Sequence, residues 1–321
     1  MALVPDVNNI RLGLAGKLPD NDHPYSWSAI INGYDAALLP HCPNAIIRDY
    51  LSKQPRDAFG IPGVRVTHIW CEDFADAQRV AAMALIPHVA ARPEQLIGQV
   101  DAVLIPTDRG DEHVERARPF IQSGVPIFVD KPLVDNNPDL QTFRGWKQAG
   151  AAVMSSSAMR YAVEFRGLRD RLAHVGRPRF ITMTMARSWE RYGIHALEAV
   201  YPFLVPGGWV DARMISAEEG DVVHLRHRDG VTVVLAVIED LLGAMGCLSI
   251  YGTRTSLSAK FADSFTAFKQ QLEAFVRYLR TGTSPIPFEQ TVELMQLLIS
   301  GRRSRELGGQ AVPIHKAQRN F

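Results

Sequence analysis

Two short apolar runs joined by a helical stretch limit the folds open to this chain more than any other feature. Val100-Asp-Ala-Val-Leu-Ile-Pro106 reads as a buried strand, a helix follows through Ile121, and Val125-Pro-Ile-Phe-Val129 reads as a second buried strand after Gly124. Strands that are apolar on both faces belong to parallel sheets covered by helices. Strand, helix and strand at this spacing make a βαβ unit. Open sheets of this kind collect their ligands at the carboxyl ends of the strands, which is where Asp130-Lys131-Pro132 stands. Pro132 has no N–H and a fixed φ, so the chain must leave the sheet there and Lys131 is expected on a stiff corner. A lysine so placed can be a point charge for a substrate oxygen or a proton donor and acceptor. The plainer alternative is a surface lysine paired with Asp130.

The segments before this unit extend the same pattern. Ile10 to Ala15 predicts a first strand ending in Gly13-Leu-Ala-Gly16. A dinucleotide fold places GxGxxG at such a turn, against the amino terminus of the next helix; here only Gly13 and Gly16 are present, as cofactor-binding candidates or as a plain turn. Tyr25 to Ile31 predicts a helix closed by Asn32-Gly33. From Tyr34 to Pro62, with prolines at 40, 43, 55 and 62, the chain predicts a long irregular insertion over the mouth of the sheet. Val64 to Trp70 predicts a second strand and Ala75 to Ala84 a helix. The end of such a strand normally bears the carboxylate that binds the adenosine ribose. Cys71 stands there, with Glu72 or Asp73 next to it as substitutes, and Asp73 equally suited to cap the helix. Thr107, Asp108 and His113 follow the Val100 strand and so share an edge with Lys131.

Beyond Leu140 to Ala149, a predicted helix, the texture changes. Val153 to Ser157 and Arg179 to Arg187 read as strands, with a basic helix from Tyr161 to Leu172 between them. Further strands are predicted at Val222 to Arg226, Val231 to Ile238 and Gly246 to Gly252. Tight turns between successive strands indicate a largely antiparallel sheet. Gly193 opens a helix running to Leu204, on which His195 and Glu198 share a face. His224 and His227 point to opposite faces of one strand, against a metal pair. From Ser264 to Arg280 apolar residues at 265, 268, 272, 275, 276 and 279 form a core-facing helical stripe, and a last helix spans Glu289 to Arg302. The fold class is therefore α/β: a Rossmann-type parallel-sheet domain over 1–133, then an α+β domain with a large, mostly antiparallel open sheet over 134–321.

With 321 residues, 46% of them hydrophobic, the chain can build two cores. Its 35 basic and 34 acidic residues leave a net charge of +1, which provides no electrostatic footprint for nucleic acid or an anionic membrane. Cys42, Cys71 and Cys247 are odd in number and widely spaced, forming neither a disulfide framework nor a metal site. No apolar run approaches the roughly 20 residues of a membrane helix. The opening Met-Ala-Leu-Val-Pro-Asp lacks a basic region followed by an apolar one. A cytoplasmic protein with small-molecule chemistry is expected.

With these parts in order, the chain resembles the Gfo/Idh/MocA oxidoreductases, the glucose-fructose oxidoreductase and inositol dehydrogenase family. The landmarks are Val100 to Thr107 with His113; Gly124 to Leu133, with Asp-Lys-Pro where Glu-Lys-Pro is more usual; Gly193-Ile-His195; Ile250 to Leu257; and the Phe-rich helix followed by Thr281-Gly282-Thr-Ser-Pro-Ile-Pro287. The resemblance implies NAD or NADP, bound tightly in some relatives, and hydride passing between nicotinamide and a carbon of a sugar, cyclitol or related polyol. It implies catalytic roles for Lys131 and His195. Cofactor contacts are implied for Gly13, Gly16, Glu72, Thr107, Asp108, His113 and Asp130, and substrate contacts for Arg160, Tyr161, Tyr192 and Glu198. It also implies a homodimer or homotetramer formed through the second sheet. Where the family commonly has an aspartate four residues before the histidine, this chain has Arg191. Two alternatives share the fold: a redox-neutral lyase or glycosidase that uses bound NAD, and a non-catalytic sugar-sensing protein whose nucleotide site has degraded.

Overall fold

The computed structural model describes residues 1–314. They form two compact units. The first comprises Met1–Val134, Gln141–Ser155 and Phe268–Ile286; the second comprises Asp135–Leu140, Ser156–Ala267 and the described residues from Pro287 onward. The first of these segments ends next to the boundary expected after residue 133, and two later segments return to the first unit.

The first unit is built on six strands: β1 (Ile10–Ala15), β2 (Val64–Trp70), β3 (His88–Val89), β4 (Ala102–Ile105), β5 (Ile127–Val129) and β6 (Val153–Ser155). Their order is β3-β2-β1-β4-β5-β6, and the pairs are parallel. Every residue of β4, β5 and β6 is buried, as a sheet covered on both faces requires. The run at 153–157, expected to open the second domain, is thus an edge strand of the first sheet, with Val153 opposite Ile127 and Ser155 opposite Val129. The chain runs outward from β1 to β3 and returns to β4, so β1 and β4 flank the topological switch point, where ligands of open sheets bind.

Around this sheet lie α1 (His23–Asn32), α2 (Ala45–Ser52), α3 (Phe74–Met83), α4 (His113–Gln122) and α5 (Asn137–Gln148). The passage from 34 to 62 is not the irregular insertion expected. It forms α2 and two 3-10 turns, Ala36–His41 and Arg56–Ala58. Asn44 caps α2 by accepting the N–H groups of Ile46 and Ile47, Leu51 is fully buried, and Tyr50 donates to Ser26 on α1. Its prolines lie outside α2, so they punctuate short helices instead of excluding them.

The second unit holds α6 (Val163–Asp170), β7 (Pro178–Ala186), α7 (Ile194–Val200), β8 (Trp209–Ala217), β9 (Gly220–His227), β10 (Thr232–Ile238), β11 (Cys247–Gly252) and β12 (Ser256–Lys260). α9 (Phe288–Glu306) and β13 (Val312–Pro313) close this unit, and α8 (Ser264–Thr281), which precedes them in the chain, belongs from Phe268 on to the first unit. The sheet order is β12-β11-β7-β10-β9-β8-β13, antiparallel except for β7 with β10. Ile181, Met183, Val233, Leu235, Val223, Leu225, Leu248 and Ile250 form its buried face. Alternate residues, such as Thr182, Val234, His224 and Ser249, are half-exposed on the other. β8 and β12 escaped sequence reading; Asp211 and Arg213 interrupt the apolar run of one, and the other alternates only serine, alanine and lysine around Leu257. The stripe expected on α8 is buried at Phe265, Leu272, Phe275, Val276 and Leu279. Among the described residues no helix is long and apolar enough to cross a membrane.

Candidate functional site

At the carboxyl end of β5 the ladder extends one further bond, Asp130 N–H to Ile105 O, and the chain then turns at Lys131-Pro132. Asp130 and Lys131 are 1% and 4% exposed, so the plain surface lysine is ruled out. Asp130 Oδ2 lies 2.7 Å from His23 Nδ1, and the His23 ring stacks on Trp27. Lys131 Nζ lies 3.8 Å from Asp108 Oδ2 in the loop after β4. His113, at the start of α4, ties that loop to the lysine corner. Its Nδ1 is 3.0 Å from Leu133 O and its Nε2 is 3.1 Å from Thr107 Oγ1 and 2.8 Å from Thr107 O. A neutral ring carries a single N–H, so it donates to one of the two carbonyls, Leu133 O or Thr107 O, according to its tautomer. Burial pushes the imidazole below its ordinary range, against the pull of the two carbonyls and Asp130. Thr107, Asp108, His113, Asp130 and Lys131 thus lie together in the first unit.

The glycine turn stands at the end of β1. Gly13 is a packing glycine: a Cβ there would lie 2.6 Å from Leu96 Cδ2. Gly16 has φ +106, and its Cβ would lie 2.8 Å from Arg116 Nη1 and 3.0 Å from Thr107 Cγ2, so both conformation and space demand glycine. The N–H of Lys17 donates to Glu72 Oε2 at 2.9 Å. Arg116, reaching back from α4, holds the other oxygen of Glu72 by Nη1 and Glu112 by Nε and Nη2 at 3.0 and 2.6 Å. The Lys17 ammonium sits between Asp22 and Asp76, at 3.5 and 3.4 Å. Burial raises the Asp22 carboxyl above its ordinary value, against the pull of Lys17. Cys71 is buried, its thiol pushed up to about 12 by burial and by Glu72, which leaves it inert. Asp73 caps α3 by accepting from Ala75 N–H.

The second unit assembles the remaining candidates. Trp189 is buried, donates from Nε1 to Leu298 O at 2.9 Å, and packs where only glycine leaves room. A Cβ on Gly193 would lie 2.5 Å from its ring, and one on Gly301 2.9 Å. This seats the wide turn Trp189–Gly193 and so sets the start of α7 against α9. His195 Nδ1 is 2.6 Å from Ser157 Oγ. Ser157 also accepts Met159 N–H and donates its own N–H to Glu198. Glu198 is 2% exposed and paired with Arg160; burial raises its carboxyl, and Arg160 opposes the rise. Glu198 thus lies buried, with hydrogen bonds to the Ser157 N–H and to Arg160. Arg160 Nη1 reaches Gln290 at 3.2 Å, while its buried Nη2 has no hydrogen-bond partner. The Tyr192 ring lies 5.1 Å from that of His195, and Tyr161 OH is 3.5 Å from Ser156 Oγ. Ser157 was missed because 153–157 read as a strand; its signal was the serine run before Ala158, a cap for the turn Ala158–Tyr161. Among the described residues no group of three His, Cys, Asp or Glu side chains is placed to hold a metal ion.

Residues 46–158 match the model of an oxidoreductase family with an NAD-binding Rossmann fold, GFO_IDH_MocA. That segment is similar to the Gfo/Idh/MocA oxidoreductases. No curated protein matches the chain. Among solved structures, the fold is similar to myo-inositol 2-dehydrogenase from Lactobacillus plantarum, with a TM-score of 0.73 and 13% identity over 96% of this chain and 100% of that one. Myo-inositol dehydrogenase from Lactobacillus casei, solved with NAD(H) and myo-inositol, scores 0.72 at 13% identity over 96% and 98%. An oxidoreductase from Agrobacterium radiobacter, in complex with NAD+, L-tartaric acid and magnesium, scores 0.72 at 14% identity over 95% and 98%. The family match begins after the glycine turn, so the turn has to be tested on its own residues. A dinucleotide-binding Rossmann fold uses an acid for the adenosine ribose and backbone N–H groups for the phosphates. Glu72 supplies the acid, held at the rim of the turn. Lys17 supplies an N–H, which a phosphate would reach by displacing Glu72. Beside them a cavity of about 430 Å³ lies between Ala15, Trp70, Pro93 and α4, within the range of small-molecule sites. These residues fit the adenosine half of a dinucleotide.

Proposed function

We propose that the protein is an NAD(P)-dependent dehydrogenase or reductase acting on an alcohol carbon of a sugar, cyclitol or related polyol, or on its ketone. The observation that supports it most is the buried Lys131 ammonium at the carboxyl end of β5, beside Asp108 and on a corner clamped by His113. A surface lysine has no need of such a frame. Gly16, Glu72 and the loop from Thr107 to His113 would hold the dinucleotide. When bound, its nicotinamide supplies the acceptor or donor of hydride.

Oxidation of a secondary alcohol requires a group that takes the hydroxyl proton and a donor that steadies the alkoxide character of the oxygen. Lys131 Nζ is assigned the proton. Asp108 orients the amine and keeps a carboxylate within reach when the ammonium forms. His195 is assigned to the substrate oxygen, with Ser157 at its Nδ1 holding the ring in place. The buried pair of Glu198 and Arg160 anchors Ser157, and Arg160 and Tyr161, with Tyr192 beside His195, offer donors to polyol hydroxyls. The half-exposed face of the second sheet is assigned to a second copy of the chain, in a homodimer or homotetramer.

The test is native mass spectrometry of freshly purified protein, followed by absorbance assays of NADH or NADPH formation across inositols, sugars and sugar acids. A bound dinucleotide with polyol-dependent reduction supports the reading. Absence of copurified nucleotide, together with no calorimetric binding at millimolar NAD or NADP, sinks it.

A further inference from the structure

We infer that His23 is the proton outlet of the lysine corner, passing to solvent the proton that Lys131 takes from the substrate. The inference rests on the dehydrogenase reading above and adds a step which that reading leaves open. When an alcohol is oxidised, its carbon gives hydride to the nicotinamide and its O–H proton goes to the Lys131 amine. The ammonium must then lose that proton before the next turnover, and in the reductive direction the same path runs inward. Burial makes the path a real constraint. The side chains of Lys131 and Asp108 are 4% and 7% exposed, Asp130 is 1% exposed, and His113 has no exposed surface. His113 also has both ring nitrogens engaged, at Leu133 and Thr107. His23 keeps 18% of its side chain in solvent, and histidine is the side chain that shuttles protons most readily near neutral pH.

The ring is built into the corner. His23 opens α1, and its N–H donates to Asn21 Oδ1 at 3.0 Å. Asn21 Nδ2 donates in turn to Pro106 O at 3.0 Å, which ties the turn before α1 to the loop that carries Asp108. One face of the imidazole stacks on Trp27, with centroids 5.3 Å apart, and Phe268 meets it edge-on at 5.1 Å. Asp130 Oδ2 stands 2.7 Å from Nδ1, the length of a charge-assisted bond. An ionised carboxylate can only accept, so the proton of that bond sits on Nδ1. Among the described residues this is the ring's one side-chain hydrogen bond, and Nε2 is left to exchange protons with water. The surrounding charges fall into pairs. Lys17 lies between Asp22 and Asp76, Arg79 holds Asp76, and Lys131 lies by Asp108. Asp130 is thus the carboxylate that faces the imidazole while it carries the proton. Asp130 precedes Lys131 in the chain, so the ring that it anchors stands beside the amine's own corner, and water completes the path between them.

The experiment follows NADH or NADPH absorbance during polyol oxidation in dilute buffer, with and without added imidazole, by stopped flow and in the steady state. His23→Asn keeps an N–H for Asp130 but has no nitrogen that exchanges protons. It should lower kcat at least about tenfold, raise the solvent isotope effect on kcat, and recover most of the lost rate when imidazole is added. Its first turnover should match wild type, because Lys131 begins that turnover ready to accept. Wild type should not respond to imidazole. A variant with near-normal kcat in dilute buffer, a loss that imidazole does not relieve, or a slow first turnover overturns the inference and leaves His23 a structural partner of Asp130. If His23→Asn does not fold, by circular dichroism, His23→Gln takes its place with the same expectations. Failure of both to fold also overturns the inference, since an outlet is dispensable to folding. A wild type with no polyol-dependent turnover overturns the dehydrogenase reading itself, and the inference with it.

Discussion

The lysine corner and the glycine turn both stand at carboxyl ends of strands in one parallel sheet, yet they are held by different means. At the corner the ties are buried. His113 bridges Thr107 and the Leu133 carbonyl, Asp130 holds His23, and Lys131 has almost no exposed surface. At the turn the ties are ion pairs among long side chains; Lys17 and Asp22 are buried there as well, but Glu72 keeps 39% of its side chain in solvent. Buried contacts are little screened by salt, whereas exposed pairs are screened and readily exchanged. The corner is thus suited to hold one amine in a fixed place, as proton transfer demands. Glu72, the exposed member of the turn, is suited to trade its internal partners for those of an arriving ligand.

The largest test of this contrast falls on the corner. Lys131→Ala should lower kcat by about 10² to 10⁴-fold, the usual share of a positioned acid or base, with the far-ultraviolet circular dichroism unchanged. Near-normal turnover in that variant would remove the corner from the chemistry and leave it a structural feature.

A smaller effect should come from acid. The buried His113 imidazole resists protonation, whereas the unfolded chain takes up a proton near the ordinary value of 6.5. The folded pKa is the lower of the two, so stability is complete above about 6.5 and falls on acidification, by at most about 1.4 kcal/mol per pH unit. Urea unfolding followed from neutral pH to about pH 5 should show a shallower fall in His113→Gln than in wild type. Parallel slopes would mean that the ring is not the buried, neutral clamp of the corner.

The smallest expected change lies beside the turn. Asp73→Ala removes the cap of α3 and should cost about 1 kcal/mol in the same unfolding measurement. No loss would show that the start of α3 is set by the neighbouring contact of Glu72 with Lys17 instead.

The two regions also differed in how far they could be read from the chain. Ile10–Ala15 and Val64–Trp70 were legible to the residue, and the lysine corner followed from an apolar run ended by Asp-Lys-Pro, all local signals. The passage from 34 to 62 was misread because its prolines concealed Asn44 as a helix cap. The strand at 153–155 was given to the wrong sheet because three residues carry no record of which neighbour they pair with. In the second unit His195, Glu198 and Arg160 were named, but Ser157, which joins them, was not.

What the amino-acid sequence determined by itself was the alternation of buried strands and helices and the stiff corner at Lys131, because burial period and proline act within a few residues. Tertiary structure alone decided which charges meet. It brought Asp108 to Lys131, placed Arg116 over Gly16 between two carboxylates, and turned Glu198 toward Ser157 and Arg160. Such pairings join residues tens of positions apart, and their strength depends on distance and burial, which exist only once the strands have been brought side by side.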